Sequence, residues 1–168
     1  PNQVATEGIT NVSLDDVDYA DKLGYVIKLI GSAKRIGEDK ITASVYPALV
    51  SRGNMLSGVN DVYNAVSVRG DAVDDVMFYG RGAGKFPTAS AVVADIIDCV
   101  KHISARKYLS WDEGFDTYVE ELQNVPTKLY VHLENCTDGV LEEVKALFNT
   151  TELLNNGIAK ELVFITEK

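Results

Sequence analysis

No stretch of these 168 residues approaches the roughly 18 uninterrupted apolar positions of a membrane-spanning helix, so a transmembrane span is not expected. Cysteine is scarce. Cys99 and Cys136 form no C-x-x-C pair, and no histidine stands at metal-ligand spacing, which excludes a disulfide framework and a zinc site. A reducing cytoplasm fits that usage best. Bases are also few, with 16 Lys and Arg against 25 Asp and Glu for a net charge of −9. A phosphate-binding surface needs clustered Lys and Arg, so nucleic acid is not an expected partner. The N-terminus has no basic-then-apolar signal and opens on Pro1 without a Met, which we read as processing or as a cut from something longer.

What remains is an ordinary globular composition, 46% apolar and 24% charged, with 13 Gly and only 4 Pro. At about 150 residues per domain, the length predicts one domain, or one plus a small appendage. Charge is distributed unevenly along it. Residues 1–110 hold 13 acids and 12 bases, whereas residues 111–168 hold 12 acids and 4 bases. Charge and hydrophobic pattern change together near Ser110, and a boundary is expected there.

Ser13-Leu14-Asp15-Asp16 reads as a helix start, since Ser13 can accept from an orphan N–H and acids suit the positive end of the dipole. Val17, Ala20, Leu23, Ile27 and Ile30 continue a stripe at helical spacing, which predicts a helix over about 15–34 ended by Ile36-Gly37. Ile41, Ala43 and Val45 then alternate as a strand stopped by Pro47. Residues 51–60 are turn-like, with at most one short helical turn around Met55-Leu56. A second alternating run covers 62–69. Val76-Met77-Phe78-Tyr79 predicts a largely buried strand, and Pro87 suits the first turn of a helix reaching about Arg106. Residues 112–122 fit a short helix or an irregular linker. Beyond them come a strand at 128–133, a helix from Asp138-Gly139 through Phe148, and a strand at 161–166. A unit of that size buries too little to stand alone.

The richest stretch chemically is Gly80-Arg-Gly82-Ala-Gly84-Lys-Phe-Pro-Thr88, a glycine-alternating loop between a strand and a helix. Glycines let backbone N–H groups approach a ligand, and the helix start adds a positive end suited to an anion. Arg81 and Lys85 add charge, and Thr88 and Ser90 add hydroxyls. The loop is neither a Walker A sequence nor a full dinucleotide fingerprint, and a plain tight connection would use the same residues. Asp18 and Lys22 suggest an exposed i, i+4 ion pair rather than an acid–base pair. His102 and His132 belong to no nucleophilic triad and read as surface or packing residues.

Several separated runs together resemble the homoserine dehydrogenase family. They are Thr6-Glu-Gly-Ile-Thr10, Leu23-Gly-Tyr-Val-Ile-Lys-Leu-Ile30, Asn64-Ala-Val, Gly70-Asp-Ala-Val73, Met77-Phe-Tyr-Gly-Arg-Gly-Ala-Gly84 and Pro87-Thr-Ala-Ser-Ala-Val-Val-Ala-Asp-Ile96. The resemblance covers about residues 4–100. Asp74 stands where the family usually has Gly. From Lys128 onward the chain looks like the first half of an ACT domain, with Cys136-Thr-Asp-Gly139 in place of its Asp-x-Pro-Gly turn.

The resemblance implies an NADP- or NAD-dependent oxidoreductase that reduces aspartate semialdehyde to homoserine on the route to threonine and methionine. It implies that Gly84, with Gly82, Ala83 and Thr88, contacts the nicotinamide cofactor. The family's catalytic Asp and Lys would lie upstream of Thr6, and its Rossmann domain, substrate-binding Glu and metal-binding loop would lie outside this chain. Asp18 and Lys22 share the catalytic spacing but align with the following helix. The expectation is therefore an α+β fragment with a mixed or antiparallel sheet and helices on one face, followed by a partial ACT-like βαβ unit. Residues 1–110 would be part of the catalytic and dimerisation domain, 111–126 a linker and 127–168 the ACT-like part. The parent protein would be a cytoplasmic homodimer acting on a small molecule, and the fragment alone would be inactive. The alternative is a stand-alone ACT-like regulatory module whose loop binds an anion unrelated to catalysis.

Overall fold

The computed structural model describes residues 2–105, 117–148, 150–156 and 160–167. They form two compact units, one drawn from Pro1–Ser51 and Gly114–Lys168, the other from Arg52–Glu113, and the class is α+β as expected. In the first unit Ser13 caps helix α1 (Leu14–Lys22). Its hydroxyl accepts from the Asp16 N–H at 3.0 Å while the Asp16 carboxylate accepts from the Ser13 N–H at 2.9 Å. The helix is shorter than its periodicity predicts. Gly24, at φ +82°, turns the chain, and Tyr25–Ile36 becomes strand β2. A stripe rich in Val and Ile fits a pleated surface as well as a helix, and the left-handed Gly24 decides between them.

Strand β2 pairs antiparallel with β3 (Lys40–Ser51), from Tyr25 opposite Ser51 to Ile36 opposite Lys40. The short strand β1 (Ala5–Thr6) adds to β3 in parallel, so this sheet is mixed. Pro47 does not stop β3. The Glu7 N–H donates to Val45 O at 2.7 Å, so Val45 faces β1, and Pro47, two residues on, faces the same way. By then β1 has ended, and the N–H that proline lacks is not needed there.

In the second unit, a 3-10 turn at Met55–Gly58 precedes a hairpin of β4 (Tyr63–Gly70) and β5 (Asp74–Arg81), followed by helix α2 (Lys85–Lys101). The 76–79 run is not buried, because Phe78 is 65% and Tyr79 52% exposed. A two-stranded ribbon covers neither of its own faces, and no further strand joins it among the described residues. The expected boundary near Ser110 and residues 111–116 of the expected linker fall outside the described residues.

The chain re-enters the first unit where Val119 bridges Ile41, through Ile41 N–H to Tyr118 O at 3.0 Å and Glu120 N–H to Ile41 O at 2.8 Å. Lys40 pairs with Glu120 beside this bridge. Strand β6 (Tyr130–Leu133), helix α3 (Val140–Leu147), β7 (Thr150–Asn156) and β8 (Glu161–Thr166) follow. The expected strand–helix–strand is thus strand–helix–strand–strand, in an antiparallel sheet ordered β6-β8-β7. The Thr-Thr-Glu-Leu-Leu-Asn-Asn of β7 shows no alternation, and pairing with β8 makes it a strand.

Central β8 is buried on both faces, with Leu162 to Ile165 at most 5% exposed. Leu162 and Phe164 pack with Val131, Leu133 and Val144 of α3. Val163 and Ile165 stand opposite His132 and Tyr130, so those four share the other face. Glu161 lies on that face as well, two residues before Val163.

Candidate functional site

The four residues assigned to cofactor contact lie together where β5 passes into α2. Gly82, Ala83 and Gly84 form the connection, Thr88 sits in the first turn of α2, and all four are exposed. Gly84 adopts φ +115° and ψ 156°, a region that side-chain-bearing residues avoid. It caps α2 without any side-chain hydrogen bond, and the Thr88 N–H donates to Gly84 O at 3.1 Å. Pro87 has no N–H, so the N–H groups of Lys85 and Phe86 are the ones left directed out of the helix end. Arg81 does not reach over the loop backbone. Its guanidinium lies over the Tyr63 ring, 5.6 Å from the centroid, and Tyr63 in turn stacks on Tyr79 at 4.9 Å and 8°.

The first unit holds a polar cluster of which the sequence disclosed only the helix cap. Tyr130 donates to Asp16 Oδ1 at 2.8 Å, and His132 Nδ1 lies 2.9 Å from the same oxygen. The Ser13 hydroxyl and N–H occupy Oδ2 at 2.7 and 2.9 Å. Tyr19 donates to Glu161 and sets its ring edge-on to His132 at 5.3 Å. His132 is 11% exposed and Asp16 13%. Burial by itself would push the Asp16 carboxyl up, but the bonds from Ser13, Tyr130 and His132 outweigh it and hold the group below the ordinary carboxylate range. Burial, reinforced by Asp16, pushes the Tyr130 phenol well above its ordinary value.

This cluster borders a cavity of about 800 Å³ whose walls include Tyr25, Ile27 and Leu49 on one side and Lys128, Tyr130 and Ile165 on the other. With both carboxylate oxygens of Asp16 taken, the arrangement ties α1 to β6 and β8, while His132 Nε2 is buried without a hydrogen-bond partner among the described residues, 3.9 Å from the Glu161 carboxylate. Half of it was readable, since the capping box flags Ser13 and Asp16. The other half comes from β6, more than a hundred residues later, where Tyr130 and His132 carry no local signal.

Elsewhere, Lys22 places its ammonium over the Tyr19 ring at 4.8 Å, and no Asp18–Lys22 ion pair occurs among the described residues. His102 caps the end of α2, its Nδ1 3.0 Å from Asp98 O. Both cysteines are free, Cys99 exposed and Cys136 half-buried. No group of His, Cys, Asp and Glu among the described residues is arranged to hold a metal ion. No helix among them is long and apolar enough to cross a membrane.

A family model described as homoserine dehydrogenase matches residues 1–97, more than half of the chain. The homoserine dehydrogenase of Synechocystis sp. is 51% identical over 105 residues, covering 61% of this chain and 24% of that protein. That of Helicobacter pylori is 36% identical over 167 residues, covering 96% and 38%. Among solved structures, a homoserine dehydrogenase from Thiobacillus denitrificans matches with a TM-score of 0.81 at 32% identity, over 98% of this chain and 40% of its own. One from S. aureus at pH 7.5 gives 0.72 at 33% identity, over 99% and 42%. Where nearly the whole chain is matched, it spans 38% to 42% of the length of these proteins.

Proposed function

Because the chain belongs to the homoserine dehydrogenase family, we propose that it is one part of an NAD(P)-dependent oxidoreductase interconverting aspartate semialdehyde and homoserine, on the route to threonine and methionine. Its working surface is the loop Gly82-Ala83-Gly84, with Thr88, forming one wall of the nicotinamide cleft. The observation that carries this reading is the Gly84 backbone. Its φ of +115° strains any side chain, and it leads into a helix start whose Lys85 and Phe86 N–H groups point outward. A bare backbone beside uncapped donors fits a flat amide-bearing ring and an anionic tether. When bound, the nicotinamide supplies or accepts the hydride exchanged with the aldehyde carbon. This chain's part is to present backbone and to keep side-chain bulk out of the cleft.

On the same reading residues 1–110 belong to the catalytic and dimerisation region of a cytoplasmic homodimer, 111–126 join it to the next part, and 127–168 form an ACT-like regulatory unit. Support for the last comes from the sheet order β6-β8-β7, with α3 packed on one face. The Asp and Lys that hold substrate and relay the proton would precede Thr6, so the chain by itself turns nothing over. The test is to incubate the purified 168-residue chain with homoserine and NADP and follow NADPH absorbance. No turnover is expected, and robust turnover would overturn the assignment of roles.

A further inference from the structure

Asn64 heads the Asn-Ala-Val run, to which the glycine-loop assignment gives no role. Backbone register holds Asn64 opposite Gly80, two residues before Gly82. Its side chain occupies the space that a side chain on Gly82 would need. A Cβ placed on Gly82 would stand 2.5 Å from Asn64 Nδ2, 2.8 Å from Cγ and 3.0 Å from Cβ, all well inside the roughly 3.5–4.0 Å of an ordinary contact. Rotating the carboxamide would move Nδ2 away but not Cβ, which the paired strand fixes. The next tightest described glycine, Gly70, meets nothing closer than 3.4 Å. The Asn64 amide makes one long hydrogen bond of its own, Nδ2 donating to Val62 O at 3.5 Å.

We propose that Asn64 is a positioning residue for the glycine loop. Its side chain seats the Gly82 backbone where β5 gives way to the loop, and so sets the path by which Ala83 and Gly84 reach the ligand. The absence of a Cβ at 82 allows that close seat, and Asn64 fills it. This role rests on the loop being the cofactor wall. A site works only when its elements are held within about 0.5 Å of the productive geometry, so the seat should register in affinity.

The experiment is a double-mutant cycle of Gly82→Ala and Asn64→Ala in the full-length protein carrying this segment, with NADPH and NADH affinity measured by calorimetry without substrate and Tm measured alongside. Gly82→Ala is expected to weaken binding at least tenfold and Asn64→Ala about threefold. Adding Asn64→Ala to Gly82→Ala should recover at least threefold in affinity and part of any loss in Tm. If Gly82→Ala alone does not fold, recovery of a folded, cofactor-binding protein by the pair is the expected result. Additive effects on Kd, wild-type affinity in Gly82→Ala, or failure of the pair to fold would overturn the role of Asn64. Gly84→Val separates the two levels. If it loses affinity while the cycle is additive, only Asn64 is misassigned, whereas if it binds as the parent does, the cofactor wall itself is wrong.

Discussion

His132 Nδ1 lies 2.9 Å from Asp16 Oδ1, joining residues 116 positions apart, and Tyr130 reaches the same oxygen from the same face of the β6-β8-β7 sheet. Asp16 is also the residue that completes the capping box of α1. One carboxylate therefore starts a helix and anchors it to a sheet formed far later in the chain.

Removing the Tyr130 hydroxyl tests that anchor with little change in shape. Tyr130→Phe takes one donor from a shielded carboxylate, and hydrogen bonds to charged groups contribute about 1.5–3 kcal/mol. Denaturant unfolding should show a loss of that size. A loss below about 0.5 kcal/mol would mean that the cluster does not hold the two elements together.

Asp16 also predicts the sign of an acid response. Its folded pKa is depressed, so its contribution to stability is complete above the ordinary carboxylate value of about 3.9 and is lost as pH falls through the lower folded value. Comparing unfolding of the parent protein with Asp16→Asn across pH, the stability gap should be widest near neutrality and narrow as the pH drops below about 4. A gap that widens on acidification would contradict the hydrogen-bonded carboxylate.

The β4–β5 turn carries a third prediction. Asp74 re-enters the strand at φ 54°, a left-handed conformation that costs residues with a Cβ roughly 1–2 kcal/mol and glycine almost nothing. Asp74→Gly should be neutral or raise Tm, and Asp74→Val should lower it, as thermal unfolding of both variants would show.

What the sequence disclosed follows from how local each signal is. The Ser13 cap, the strand read over 62–69, the turn at Met55 and the glycine loop before α2 all rest on neighbours within a few residues, and they stand. The helix expected over about 15–34 failed beyond Lys22 because Val26, Ile27 and Ile30 satisfy two periodicities, and only the conformation of Gly24 resolves them. Pro47 misled because its meaning depends on where β1 ends. The strand β7 was invisible because its partner β8 confers it. At the site, Gly84 was legible as a glycine that needed to be one. The seating of Gly82 on Asn64 and the meeting of Asp16 with His132 were not, since both arise from strand register.

The central claim is that Gly84 presents bare backbone to a nicotinamide cofactor, and the direct measurement is cofactor Kd for Gly84→Val in the full-length protein carrying this segment. Gly80→Ala serves as control, because a Cβ at Gly80 meets nothing within 4 Å. The account predicts a Kd raised at least tenfold by Gly84→Val with the fold intact by circular dichroism, and little change for Gly80→Ala. Parent-like affinity in a folded Gly84→Val protein would contradict it and leave the loop as a turn between strand and helix.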